Sequence, residues 1–96
     1  MVVSEITAQD IAEYLRLVEP TTEELNFLDT VLSVAKDYIL KYDGIKEEEL
    51  DNYQDLVIVV FVLCQDMYDN RALYVDNSNV NKVVKGILDL HQRNLI

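Results

Sequence analysis

The chain holds one histidine, His91, and one cysteine, Cys64. Most nucleophilic or redox chemistry would have to run through one of these two residues. His91 falls near the C-terminal end of an amphipathic stretch, where a lone imidazole is expected to be structural or solvated. Ser4, Ser33 and Ser78 each need a neighbouring general base to become nucleophiles, and the sequence offers them none. Cys64 lies inside an unbroken apolar run, and such surroundings raise a thiol's pKa and blunt its reactivity. Asp66 and Asp69 have the i,i+3 spacing used by two-metal helical bundles, but those sites also need histidines and further inward carboxylates. Glu47, Glu48 and Glu49 are consecutive, so on a helix they diverge, and no histidine is near them. They read as a solvated run. The chain has no glycine-rich phosphate loop, no C-x-x-C and no H-E-x-x-H. The expectation is a protein that is not an enzyme, with no catalytic, cofactor or metal site.

Composition narrows the class. The 96 residues are half apolar, with one proline and two glycines. That suits a single ordered domain spanning 1–96, and the shortage of turn residues favours helices. The longest apolar run, Leu56 to Cys64, is nine residues, and a membrane span needs roughly eighteen or more. The opening MVVSEITAQD has neither a basic stretch nor an apolar signal core, so a cytosolic chain with no membrane partner is expected. A net charge of −10 argues against duplex binding, which relies on lysine and arginine neutralising phosphates. The charge is also sorted along the chain. Residues 1–69 carry sixteen acids and four bases, whereas residues 70–96 carry two acids and four bases. The mildly basic end of one copy can therefore meet the acidic body of another, a heterologous contact that closes into rings or runs on as filaments.

Caps and periodicity place the elements. Thr7 with Asp10 forms a capping-box-like start, and Ile11, Tyr14, Leu15 and Val18 continue at helical spacing until Pro20. A second helix begins at the Thr21-x-x-Glu24 box and ends before Gly44. Its apolar residues form two stripes, Leu25, Leu28, Leu32, Ala35, Ile39 and Tyr42 beside Phe27, Val31, Val34 and Tyr38. Two stripes are more than one neighbour can cover. Residues 45–52 form an acidic connection in which Asp51 or Asn52 can cap a third helix. From Tyr53 to Arg71 there is no glycine or proline. Valine, isoleucine and phenylalanine favour strands, but nineteen residues exceed a strand's length and nothing else in the chain can pair with it. The stretch is expected to be a helix buried on nearly all sides at its middle. A loop over 72–79 then leads, through Asn77, Ser78 or Asn79 as cap, to a fourth helix reaching about Asn94. Its apolar face comprises Val80, Val83, Val84, Ile87, Leu88 and Leu90. The predicted fold is all-α, a small bundle of about four helices around a central buried helix at residues 53–71.

Two residue types suggest contact with other molecules. Six tyrosines occur with no tryptophan, and tyrosine suits places where one end of a side chain is buried and the other wet, at interfaces and core margins alike. Arg71 is the only base between Lys46 and Lys82. At a helix C-terminus it complements the dipole, and it can serve either as an intramolecular clamp or as an anchor for a partner's carboxylate.

The apolar helix ending in Met67-Tyr68-Asp69-Asn70-Arg71 resembles the head-tail connector proteins of long-tailed phages and prophages, which are often labelled DNA-packaging proteins. Those proteins end their central helix in an aromatic-rich stretch with a Tyr-x-Asn-Arg-like motif, matched by Tyr68, Asn70 and Arg71. The order of parts is similar along nearly the whole chain. Tyr14-Leu15-Arg16 stands in a short opening helix, and Ala35-Lys36-Asp37-Tyr38-Ile39 in a long helix closing near Gly44. Leu88-Asp89-Leu90-His91 stands near the end. At Asp66-Met67 the chain departs from many members, which carry bulkier aromatic or histidine residues there. The resemblance implies a structural virion protein that forms a homo-oligomeric ring of about a dozen copies. Such a ring sits between the portal protein and a head-completion or tail protein and extends the DNA channel, with DNA only as cargo. It implies assembly in the host bacterial cytoplasm and a final place at the head–tail junction of the virion. Tyr38, Tyr42, Tyr68, Asn70, Arg71 and Tyr74 are the candidate assembly residues. The alternative is a small cytosolic helical interaction or regulatory protein, a dimeric adaptor or antitoxin-like chain.

Overall fold

The computed structural model describes residues 1–75 and 82–93, and every regular element among them is helical. Four α-helices occur in order: α1 (Ala8–Tyr14), α2 (Thr22–Asp43), α3 (Asp55–Asn70) and α4 (Lys82–Arg93). Two 3-10 turns, Val3–Glu5 and Glu47–Asn52, precede α1 and α3.

Local chemistry sets most of these boundaries. Thr7 caps α1, its hydroxyl accepting from the Asp10 amide at 3.2 Å while the Asp10 carboxylate accepts from the Thr7 amide at 2.9 Å. Thr21 and Glu24 make the same reciprocal pair at the start of α2, both bonds at 3.1 Å. Such boxes satisfy amides that no intrahelical carbonyl can reach. Gly44 ends α2 in the left-handed region at φ 68°, its amide donating to the Leu40 carbonyl. A side chain there would crowd the backbone, which is why glycine occupies such caps.

The first helix is shorter than its periodicity predicts. It stops at Tyr14, well before Pro20, because the chain closes into a Schellman turn. The Leu17 amide donates to the Ala12 carbonyl and the Arg16 amide to that of Glu13, with Arg16 at φ 61°. Val18, predicted on the apolar face, is almost fully exposed in the connection that results. The expected cap of α3 is also elsewhere. Asp51 accepts from the Ser4 amide at 2.9 Å and from the Ser4 hydroxyl at 2.5 Å. Gln54 stands at the N-cap instead and contributes no side-chain bond. Asp51 thus joins the two 3-10 turns, and Val3, Ile6, Ile45 and Leu50 are buried around that junction.

The helix α3 is central, packing against α1, α2 and α4. Leu56, Val59, Val60, Leu63, Cys64 and Met67 are its buried residues. They recur at helical spacing and so share one face. Across from them α2 buries Leu28, Val31, Leu32, Ala35 and Ile39, so its wide face touches three helices as two stripes require. From α1 come Ile11 and Ala12, and from α4 come Val84 and Leu88. The far side of α3 is only partly covered. Ile58 is 57 % exposed, and Val57, Phe61 and Val62 are only half-buried. The central helix therefore has one buried face and one apolar face turned outward, where the unbroken run predicts burial nearly all round. Three neighbours cannot enclose a helix about 10 Å across on every side.

On α4, Leu90 is exposed where periodicity places it on the apolar face. Gly86 is also exposed and has open space around its Cα, so packing does not explain why a residue costing roughly 1 kcal/mol relative to alanine stands there. The expected caps Asn77, Ser78 and Asn79, together with Val80 and Asn94, lie outside the described residues. So do the side chains of Val83 and His91.

Truncation should separate the two faces of α3. Leu56→Ala is expected to cost about 2–5 kcal/mol, the usual range for a buried leucine. Ile58→Ala should cost under about 1 kcal/mol, because its side chain is already largely in water. Urea unfolding of the two variants measures both, and similar losses would mean that the outward face is packed.

Candidate interaction surface

The C-terminal end of α3 brings together the motif predicted from sequence. Its last turn is a second Schellman motif, with the Ala72 amide donating to the Met67 carbonyl at 3.0 Å and the Arg71 amide to that of Tyr68 at 3.2 Å. The turn puts Arg71 in the left-handed region at φ 51°. A non-glycine residue there is strained by roughly 1–2 kcal/mol. Asn70 folds back along the helix, its amide nitrogen donating to the Asp66 carbonyl at 2.9 Å and to the Asp66 carboxylate at 3.2 Å.

The Arg71 side chain lies over aromatic rings. Its guanidinium carbon is 4.4 Å from the centroid of the Tyr68 ring and 5.8 Å from that of Phe27 on α2. Those two rings are tilted against each other at 6.3 Å. A cation over a ring face is attracted by the ring's quadrupole, by about 0.5–1 kcal/mol at an exposed site. This contact explains the side chain's orientation and adds a tie between α2 and α3. The only ion pair seen among the described residues joins Lys41 to Asp37 on α2. Of the two roles open to Arg71, the intramolecular contact is made with rings, and its N–H edges have no ion pair among the described residues.

The six candidate residues fall into two groups. Tyr68, Asn70, Arg71 and Tyr74 lie at or just after the end of α3, and Tyr74 is 65 % exposed beside Leu73 at 49 %. Tyr38 and Tyr42 lie instead toward the end of α2. Their rings are 5.8 Å apart, and the Tyr42 hydroxyl donates to the Asp89 carboxylate of α4 at 2.5 Å. Both are half-buried against the core. Tyr42 holds α4 in place, which is a core-margin role.

A second surface lies outside the sequence-based expectations. Tyr14 of α1 stacks on Phe61 of α3 with ring centroids 4.9 Å apart and planes at 29°. Tyr14 is 45 % exposed, and Ile58 stands about one helical turn before Phe61. The sequence does carry the signal: nine consecutive apolar residues must point to every side of a helix, so some exceed what the core can take.

Among the described residues the remaining polar groups do not assemble into a reactive site. Ser33, Lys36, Asp37, Leu40 and Glu47 line an open groove of about 320 Å³ that holds one ammonium and two carboxylates. Burial pushes the Cys64 thiol up to about 12, against a weak opposing pull from Lys36. A thiol so placed is neutral at ordinary pH and poorly nucleophilic. The side-chain hydrogen bond from Ser4, followed by the one from its amide, holds the Asp51 carboxyl below its ordinary value of 3.8. Among the described residues no three histidine, cysteine, aspartate or glutamate side chains converge as metal ligands, and no helix is long and apolar enough to cross a membrane. Compared with protein families, curated proteins and solved structures, the chain matches none.

Arg71 invites a test of backbone against side chain. Arg71→Gly relieves the left-handed strain while losing the ring contact, so the two effects nearly cancel. Arg71→Ala loses the contact and keeps the strain, and should be less stable than Arg71→Gly by about 1 kcal/mol in chemical unfolding. Equal stabilities would remove the strain argument. The Ser4–Asp51 junction predicts a pH dependence. Because the folded-state pKa of Asp51 is depressed, its contribution is fully present above the unfolded value of 3.8 and lost as pH falls through the folded one. The melting temperatures of wild type and Asp51→Asn should therefore differ at neutral pH and converge below pH 3.8. A constant gap across that range would rule the linkage out.

Proposed function

We propose that this chain is a connector subunit of a phage or prophage head–tail junction, forming a ring between the portal protein and the next head-completion or tail protein. The observation that carries the reading is the end of α3, where Tyr68, Asn70 and Arg71 form a closed turn with an exposed, ring-held cation. This is the motif on which the resemblance to connector proteins rests. Three further features are compatible with it. The fold is a small all-α domain, its central helix keeps an apolar face outward, and its charge is sorted between an acidic body and a mildly basic end. A subunit of this kind works by geometry. Its partners are further copies of itself, the portal and a tail-side protein, while DNA passes through the ring as cargo.

The test is the mass of assembled species. Native mass spectrometry and negative-stain imaging, at high concentration and with a portal ring present, should reveal closed rings of about a dozen subunits. A strict dimer under every condition would overturn the reading and favour the dimeric adaptor.

A further inference from the structure

The end of α1 carries two stop signals, and the chain uses the first. Arg16, at φ 61°, closes the Schellman turn that ends the helix at Tyr14. Three residues on, Glu19 is also left-handed at φ 48° and stands directly before Pro20. A left-handed residue followed by proline is a helix stop in its own right. Its amide can close a turn on the carbonyl four residues back, and proline has no amide to satisfy. For Glu19 that carbonyl belongs to Leu15. A helix running on through Val18 would therefore meet a terminus already in the conformation it needs.

Little separates the two lengths. In the observed turn the Arg16 amide donates to the Glu13 carbonyl and the Leu17 amide to that of Ala12. Continuing the helix exchanges the partners, Arg16 to Ala12 and Leu17 to Glu13, and adds a bond from the Val18 amide to the Tyr14 carbonyl. None of these hydrogen bonds is lost without replacement. Arg16 leaves the left-handed region, a relief that amounts to roughly five- to thirtyfold in the balance. Against this, Leu17 gives up its half-buried place at the edge of the core. Val18 changes in the opposite sense. It is 88 % exposed, and at helical spacing it would follow Ile11 and Tyr14 on one face.

Topology sets that face against apolar surface. Ser4 and Asp51 join the turns that precede α1 and α3, and Tyr14 at the far end of α1 lies on Phe61. The two helices therefore run the same way. One more turn of α1 carries Val18 past Phe61 along the outward side of α3, where Val62 is only half-buried.

We propose that α1 is a two-state element, with a short form that ends at Tyr14 and a longer form that runs through Val18 and lays it over the outward apolar side of α3. Arg16 is the hinge, since its backbone alone must cross from the left-handed to the helical region while its side chain stays in solvent. The device is a cover for a surface that the core leaves partly open. A molecule binding at Phe61 would select the short form, because the two forms bury that side differently. None of this depends on the connector reading.

The Cα chemical shift of Val18, measured by nuclear magnetic resonance, reads the balance. Arg16→Gly favours the left-handed turn and weakens the helix, so the short form should gain at least about tenfold and the shift should move away from helical values. Arg16→Val penalises the left-handed turn at an exposed position. Leu17→Ala pushes the same way by a separate route, removing a contact of the short form and raising helix propensity. Both should move the Val18 shift toward helical values, and Leu17→Ala carries the test if Arg16→Val does not fold. Adding Val18→Ser to Leu17→Ala should reverse the change, read at position 17. Serine matches valine in helix propensity but cannot cover an apolar surface. Non-helical shifts at Val18 in both Arg16→Val and Leu17→Ala would overturn the proposal. So would a lengthened helix indifferent to Val18→Ser, because its extension would owe nothing to α3.

Discussion

Leu56, Val59, Val60, Leu63, Cys64 and Met67 form one stripe on α3, and the need to keep that stripe dry decides where α1, α2 and α4 sit. Each fully buried aliphatic side chain contributes on the order of 1.5–3 kcal/mol, so this seam outweighs any polar contact in the molecule. The Tyr42–Asp89 bond, the Ser4–Asp51 junction and the Arg71 ring contact fix details around it. They locate the ends of elements that the apolar seam has already brought together. The same seam creates the surplus. Filling α3 with apolar residues on all sides guarantees a buried face, and it leaves Ile58 largely in water and Phe61 half-buried against Tyr14.

The features legible in the sequence are chiefly those that local chemistry decides. The Thr21–Glu24 box, the Gly44 cap and the helical nature of residues 55–70 all depend on neighbours within a few positions, or on length. Where sequence and structure differ, a distant partner or an unusual backbone decides. Asp51 is available as a helix cap, but Ser4, forty-seven residues away, offers it two donors at once. The early end of α1 rests on a left-handed arginine, and sequence reasoning expects glycine there. The interaction surface is half legible. The Tyr68–Arg71 motif stands out by its residue types, and of the two tyrosines on α2 it is Tyr42 that bonds to Asp89 of α4. The Tyr14–Ile58–Phe61 face escapes notice when an unbroken apolar run is equated with burial.

Arg71 and Arg16 share an arrangement that helps to explain the strain. Both occupy the left-handed position of a Schellman turn, where glycine would cost least. Both also place a cation at the negative end of a helix dipole, which returns part of the strain. At Arg71 the rings of Tyr68 and Phe27 return more.

Cys64 has a consequence of a different kind. It sits at the centre of the α3 seam, fully buried, and it is the only thiol in the chain. In the folded protein it is both sheltered and protonated, while any opening that lifts α3 from its neighbours frees it to react. The molecule thus carries its own single-site clock: the rate at which a thiol reagent consumes Cys64 reads how often the core opens, with no label to introduce and no second site to confuse the signal.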